Sequence, residues 1–192
     1  MHDCCGVDMS IKPWKTLNSR LVYQNPWTAV REDLAEMPNG QTTIYGVVEC
    51  GECVGVLPFL DDNRVVLVRQ YRYVFGEDHR WEMPTGGVKT GESYLEAARR
   101  ELQEEVGYDA QGLQHINTYF TSKSVMHEIA HLYIGHDLIK VQSIPDETEF
   151  LEVAEFPFQQ VLEMVLECEI RDSMTVIAVL LADRMKRAED GN

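Results

Sequence analysis

Glu101, Glu104 and Glu105 fall close together in residues 93–106, where Leu95, Ala98, Leu102 and Val106 recur at helical spacing and form one apolar stripe. At about 100° per residue, the three carboxylates share one arc of roughly 100° beside that stripe. Like charges so close repel and raise one another's pKa unless a cation sits among them. A divalent metal is the economical cation. Oxygen-only donors favour a hard ion, Mg²⁺ or Mn²⁺, and the lack of His or Cys on that face argues against zinc. The ordinary alternative is a solvated acidic face, and three glutamates alone do not displace it.

The neighbouring residues position this cluster. Thr90 or Ser93 caps the helix start, Ser93 with Glu96 has the spacing of a capping box, and Gly107 ends the helix. Gly86, Gly87 and Gly91 let the preceding loop turn tightly and bring backbone close to a ligand. Arg100 stands four residues after Glu96, so the two can pair along the helix, and Glu92 is a second acid within its reach.

The wider pattern is α/β with a mixed sheet. Residues 27–37 and 42–50 flank Pro38-Asn39-Gly40 as a β-hairpin, and 54–60 and 64–73 flank Asp61-Asp62-Asn63 in the same way. The continuous apolar run 65–68 predicts a strand buried on both faces. Strands follow around 129–134 and 150–156, then helices over 158–167 and 173–186, the last capped by Asp172 or Ser173.

Seventeen Lys plus Arg against 32 Asp plus Glu leave the 192-residue chain at −15, which opposes broad contact with nucleic acid. An anionic substrate therefore needs a metal or local arginines. Residues 63–76 supply Arg64, Arg69 and Arg72 with no acid among them. Arg69 and Arg72 are candidates for a diphosphate clamp; the alternative is surface ion pairs. The longest apolar stretch near the C-terminus, 176–182, is too short for a membrane span, and no signal-like segment opens the chain, so the expected compartment is the cytosol. Five cysteines in that compartment do not predict a disulfide framework. Cys50 and Cys53 form a lone C-x-x-C, and Cys4 and Cys5 stand near His2.

Gly86, Glu92, Arg100, Glu101, Glu104, Glu105 and Gly107, with bulky Leu102 and Tyr108, fit G-x5-E-x7-R-E-U-x-E-E-x-G-U at every fixed position. The chain thereby resembles the Nudix hydrolases. Segments 25–27, 45–49, 68–72 and 81–86 are similar to the branch that cleaves ADP-ribose and nucleoside diphosphate sugars. The resemblance implies an α/β/α sandwich with a mixed sheet, an N-terminal antiparallel strand region (1–50) that serves dimerisation and substrate capping, and a catalytic domain (51–192). It also implies a homodimer that hydrolyses a nucleotide sugar to a nucleoside monophosphate and a sugar phosphate.

Residue roles follow from the same resemblance. Glu101, Glu104 and Glu105, with the Thr85 carbonyl, hold one to three Mg²⁺; Arg100 belongs to the catalytic set. Trp27 and Tyr45 stand where the branch stacks aromatics on the base, Arg69, Arg72 and Glu82 where it binds substrate. Glu149 stands at the place of a general base, with Glu147 as the fallback. One departure matters: no proline lies between Pro84 and Pro145, where ADP-ribose hydrolases carry one, and residues 121–126 take that place. ADP-ribose is thus the preferred substrate, with GDP-mannose, UDP-glucose or another sugar nucleotide open.

Two readings compete. His127-Glu128-Ile129-Ala130-His131 matches H-E-x-x-H, which binds zinc only on a helix; the following Leu132-Tyr133-Ile134 favours a strand, on which the histidines stand about 13 Å apart. A non-catalytic sugar-nucleotide regulator is the other, and it would be expected to lose the box glutamates that this chain keeps.

Overall fold

Asn39 and Gly40 reverse the chain as expected. Gly40 takes φ +82°, and the Asn39 side chain accepts the Gln41 N–H at 3.0 Å. The strands so joined are β2 (Ala29–Glu36) and β3 (Thr42–Asp61), paired antiparallel with Asp33 opposite Tyr45. A third strand, β1 (Lys15–Gln24), pairs with β2. It is exposed along its whole length, so no alternation of apolar and polar residues marks its bounds in the sequence.

The structure is a computed structural model that describes residues 12–76, 80–142 and 150–191. It divides into two compact units: the described parts of Met1–Cys50 with Ser122–His127, and of Gly51–Thr121 with Glu128–Asn192. The chain passes from one to the other within β3. Patterning places two strands there, 42–50 and 54–60, but Gly51 takes φ +84°, a value glycine adopts without steric cost, and the strand continues.

In the second unit, Asp61 Oδ1 accepts the N–H groups of Asn63 and Arg64, both at 2.9 Å, and turns the chain into β4 (Arg64–Arg69). β4 pairs antiparallel with β3, with β5 (Trp81–Glu82) and with β9 (Glu152–Pro157). β6 (Thr85–Gly87) pairs with β3, and β7 (Tyr108–Phe120) with β8 (Met126–Lys140), which also pairs with β3. The helices are α1 (Tyr94–Val106), α2 (Phe158–Leu166) and α3 (Ser173–Asp190).

Strand alternation sorts the core into two layers. Leu57, Phe59, Val65, Leu67 and Leu132 pack with Val161 and Leu162 of α2 and Val179 of α3. Val54, Val56, Val66, Val68 and Tyr133 pack with Ala97, Ala98, Leu102 and Val106 of α1. Each such side chain contributes about 1.5–3 kcal/mol when fully buried. Residues 65–68 read as an unbroken apolar run because both faces of β4 are covered. This is the expected α/β/α sandwich. Among the described residues, no helix is long and apolar enough to cross a membrane.

Candidate active site

Ser93 opens α1 with the expected capping box. Its hydroxyl accepts the Glu96 N–H, and Glu96 Oε2 accepts the Ser93 N–H at 2.8 Å. Gly107 closes the helix in the left-handed region at φ 71°, ψ 30°. Because Glu96 turns back to the cap, Arg100 does not take it as the i, i+4 partner that spacing allowed. Arg100 reaches Glu92 with a fork instead, Nε to Oε1 at 2.8 Å and Nη2 to Oε2 at 2.9 Å, and Nη2 also donates to the Gly87 carbonyl at 2.9 Å. The Lys89 N–H donates to Glu92 Oε2 at 3.0 Å. The glycine loop is thereby clipped to the helix it precedes.

The Arg100 guanidinium, helped by the Lys89 N–H, holds the Glu92 carboxyl at about 2 against an ordinary 4.5. A carboxylate depressed in this way stabilises the fold above its unfolded pKa, and the contribution is lost as pH falls from 4.5 toward 2. Wild type should therefore melt above Glu92→Gln at pH 7, by a margin that shrinks below pH 4.5 and closes near pH 2. Thermal melts across that range check this, and a margin independent of pH contradicts it.

The same guanidinium faces the acidic cluster. Arg100 Nη1 donates to Glu101 Oε1 at 2.5 Å and to Glu104 Oε2 at 2.9 Å. Glu101 and Glu105 are 6% and 4% exposed, whereas Glu104 is partly exposed with the Lys89 ammonium 4.0 Å away. β6 carries the loop to them, pairing Gly86 with Val54, and the Thr85 N–H donates to Glu105 Oε2 at 3.1 Å. A Cβ built on Gly86 would lie 2.0 Å from Glu101 Oε1, so only glycine leaves that carboxylate its place. Arg100 thus joins Glu101 to Glu104, and the Thr85 backbone joins the glycine loop to Glu105 on the same helix.

The donor set fits a hard divalent cation: it is all oxygen, and two of its carboxylates are buried beside backbone. Among the described residues no three acidic, histidine or cysteine side chains surround a single point as ligands would; Arg100 bridges Glu101 and Glu104. What the site offers chemically is anionic oxygen for a cation, next to a cationic guanidinium that fixes two of the acids.

Arg72 and Glu82 come together. Glu82 is buried, and its Oε1 accepts from Arg72 Nε at 2.9 Å and Gln70 Nε2 at 3.4 Å. Burial pushes the Glu82 carboxyl up, Arg72 opposes it, and Asp172 adds to the rise. Asp172 is the expected cap of α3, accepting the Thr175 N–H at 2.8 Å, while Thr175 Oγ1 accepts the Met83 N–H at 3.0 Å. That link between α3 and residues 82–85 was not foreseen, since a helix cap looks the same in sequence wherever its helix docks. Arg69 is engaged in a surface ion pair with Glu152, its guanidinium 4.9 Å over the Trp81 ring.

Trp27 and Tyr45 belong to the first unit. Trp27 is 82% exposed; the Tyr45 hydroxyl donates to the Ser124 carbonyl at 2.7 Å, and its ring stands edge-on to Trp14. Glu147 and Glu149 lie outside the described residues, as do His2, Cys4 and Cys5. Cys50 and Cys53 form no disulfide with each other, and the Cys53 thiol donates to the Ile129 carbonyl at 3.7 Å. His127 and His131 stand on strand β8, not a helix, so the zinc-helix reading of H-E-x-x-H fails. His127 Nδ1 lies 2.6 Å from Glu49 Oε2, and His131 Nδ1 shares the Thr118 hydroxyl at 3.0 Å.

Residues 51–174 match the model of the NUDIX domain. The chain belongs to the Nudix family. Residues 14–48 match the nucleoside diphosphate sugar hydrolase N-terminal domain, so the resemblance extends beyond the Nudix box. The chain is 34% identical to the methanol dehydrogenase activator of Bacillus methanolicus and 30% identical to the ADP-ribose pyrophosphatase of Bacillus subtilis. Each match covers 86% of this chain and 90% of the relative. A crystal structure of an ADP compounds hydrolase superposes with a TM-score of 0.83 at 25% identity, over 94% of this chain and 97% of that one. The expected family and enzyme class therefore hold: this is a Nudix hydrolase, of a family that works with a divalent metal.

Proposed function

We propose that this Nudix hydrolase cleaves the pyrophosphate of a nucleoside diphosphate sugar, ADP-ribose first among them, to a nucleoside monophosphate and a sugar phosphate, using Mg²⁺. The observation that carries this is the buried pair Glu101 and Glu105 locked between Arg100 and the Thr85 backbone, in a chain that also has the sugar-nucleotide hydrolase N-terminal region. When bound, Mg²⁺ or Mn²⁺ neutralises phosphate charge and makes water a better nucleophile at neutral pH. Glu101, Glu104, Glu105 and the Thr85 carbonyl hold it, and Arg100 keeps the glutamates in register. Arg72 meets the diphosphate, with Glu82 fixing its guanidinium and Arg69 as an outer contact. Trp27, with its ring open to solvent, is the base platform; Tyr45, already tied to Ser124 and Trp14, is the lesser one.

Glu149 takes the proton from the attacking water. Glu149→Gln is expected to lower kcat by about 10²- to 10⁴-fold with KM little changed. Turnover at the wild-type rate in steady-state assays would exclude it as the base. The substrate is tested with a panel of ADP-ribose, GDP-mannose and UDP-glucose under Mg²⁺, with phosphatase-coupled phosphate release as readout. Highest kcat/KM on ADP-ribose supports the reading, and no release from any of the three opposes it.

The chain acts in the cytosol as a homodimer through its N-terminal strands, where Leu17, Leu21, Leu34 and Ile44 are exposed. Light scattering of the purified protein tests the dimer. A regulator reading has one observation in its favour, the relative named a methanol dehydrogenase activator. The intact acidic assembly favours catalysis over it, and binding of ADP-ribose under Mg²⁺ without monoester release would reverse that judgement.

A further inference from the structure

The hairpin that joins β7 to β8 closes with the Thr121 N–H on the Glu128 carbonyl at 3.3 Å, yet its tip, residues 122–127, belongs to the first unit. Three bonds fasten the tip to β3, in the same order along both segments. The Tyr45 hydroxyl donates to the Ser124 carbonyl at 2.7 Å, the Val48 N–H to the Val125 carbonyl at 2.8 Å, and His127 Nδ1 to Glu49 Oε2 at 2.6 Å. Tyr45 and Glu49 stand four residues apart on a strand whose register with β2 is unbroken from Thr42 to Glu49, so both side chains leave the same face.

Side-chain chemistry singles out the third of these bonds. Glu49 Oε1 accepts from Arg31 Nε at 2.8 Å, on β2, while Oε2 accepts from the tip. Arg31 first, and His127 after it, hold the Glu49 carboxyl below its ordinary range, so Glu49 is a carboxylate and only accepts. His127 Nδ1 must then carry the proton that makes the 2.6 Å contact a bond. Without that imidazole the tip keeps its backbone bond to Val48 and its bond to Tyr45, and the latter works in both directions: whatever shifts Ser124 also turns the Tyr45 ring.

We propose that Glu49 and His127 are positioning residues for the base of the substrate: their bond keeps the hairpin tip on β3, and the tip, through the Ser124 carbonyl, fixes the direction of the Tyr45 ring. This rests on the assignment of Trp27 and Tyr45 as the base platform. A ring whose orientation is set before the base arrives loses less freedom on binding, and preorganisation of this kind raises affinity. The pair has no assigned part in holding metal or diphosphate, so its effect falls on KM and leaves the chemical step alone.

The test compares His127→Ala with His127→Asn on the full chain. The asparagine Nδ2 falls close to where the imidazole Nδ1 stands, so it restores a donor to Glu49. His127→Ala is expected to raise KM for ADP-ribose about three- to fivefold at unchanged kcat, the scale of an exposed charged pair, and His127→Asn to bring it back toward wild type. Calorimetric binding of AMP should weaken by the same factor in the alanine variant, whereas ribose 5-phosphate, which has no base, should bind as before. Hydrogen exchange over residues 44–49 and 122–127 should quicken in that variant alone. An unchanged KM in His127→Ala, equal weakening of ribose 5-phosphate, or no rescue by asparagine overturns the proposal. A wild type that hydrolyses no nucleotide sugar defeats the substrate reading instead, and the positioning role then stands or falls on AMP binding and exchange: unchanged values in His127→Ala overturn it.

Discussion

Glu105→Gln is expected to lower kcat for pyrophosphate hydrolysis by about 1,000-fold while leaving the melting temperature almost unchanged. Glutamine has the shape of glutamate and still offers an oxygen to the Thr85 N–H, now 3.1 Å from Glu105 Oε2. What it lacks is the negative charge. At 4% exposure that charge stands in a low-dielectric setting, where it holds a divalent cation far more strongly than in water. Metal-ion stabilisation of a phosphoryl transition state amounts to several kcal/mol, and about 4 kcal/mol corresponds to about 10³ in rate. Steady-state kinetics at saturating Mg²⁺, beside a thermal melt, separates the chemistry from the fold. A variant within about tenfold of wild type would show that Glu105 acts only as a structural partner of the loop.

Gly86→Ala is the second large effect, and it acts through a different residue. The added methyl would sit 2.0 Å from Glu101 Oε1 and 2.1 Å from its Cδ, far inside contact distance. Of the atoms involved, the end of the glutamate side chain yields more readily than the β6–β3 ladder that fixes Gly86 opposite Val54. The clash is therefore relieved by displacing the Glu101 carboxylate, which also breaks its 2.5 Å bond from Arg100. Activity should fall about 100-fold, the scale of a misplaced catalytic group, with a stability loss of only about 1–3 kcal/mol, the usual range for overpacking. Large unfolding with activity retained in the folded fraction would contradict this.

The acidic assembly was legible because a helix converts spacing into geometry: residues three or four apart must share a face, whatever surrounds them. The same logic found the capping box and the Gly107 stop. It could not decide between Glu92 and Glu96 for Arg100, because both lie within reach and the outcome depends on Glu96 being engaged at the cap. β4 was legible from its unbroken apolar run, whereas β1 was not, since a strand exposed on both faces has no pattern to read. β7 was missed for a related reason: Gly112, His115 and Asn117 interrupt it, and much of it is only half-buried.

Long-range pairing was the least visible. Arg69 and Arg72 look alike in sequence, but only the fold sends one to Glu152 and the other to buried Glu82. The histidines of residues 127–131 were read correctly through the strand-forming residues after them, which outweighed a motif that carries chemistry only on a helix.

Equilibrium binding of Mn²⁺, followed by electron paramagnetic resonance in the presence of a nonhydrolysable ADP-ribose analogue, tests the central claim most directly. Wild type should take up Mn²⁺ stoichiometrically, and the double variant Glu101→Gln, Glu105→Gln should lose that uptake while remaining folded. Undiminished binding by the folded double variant would contradict the assignment of the metal to this helix.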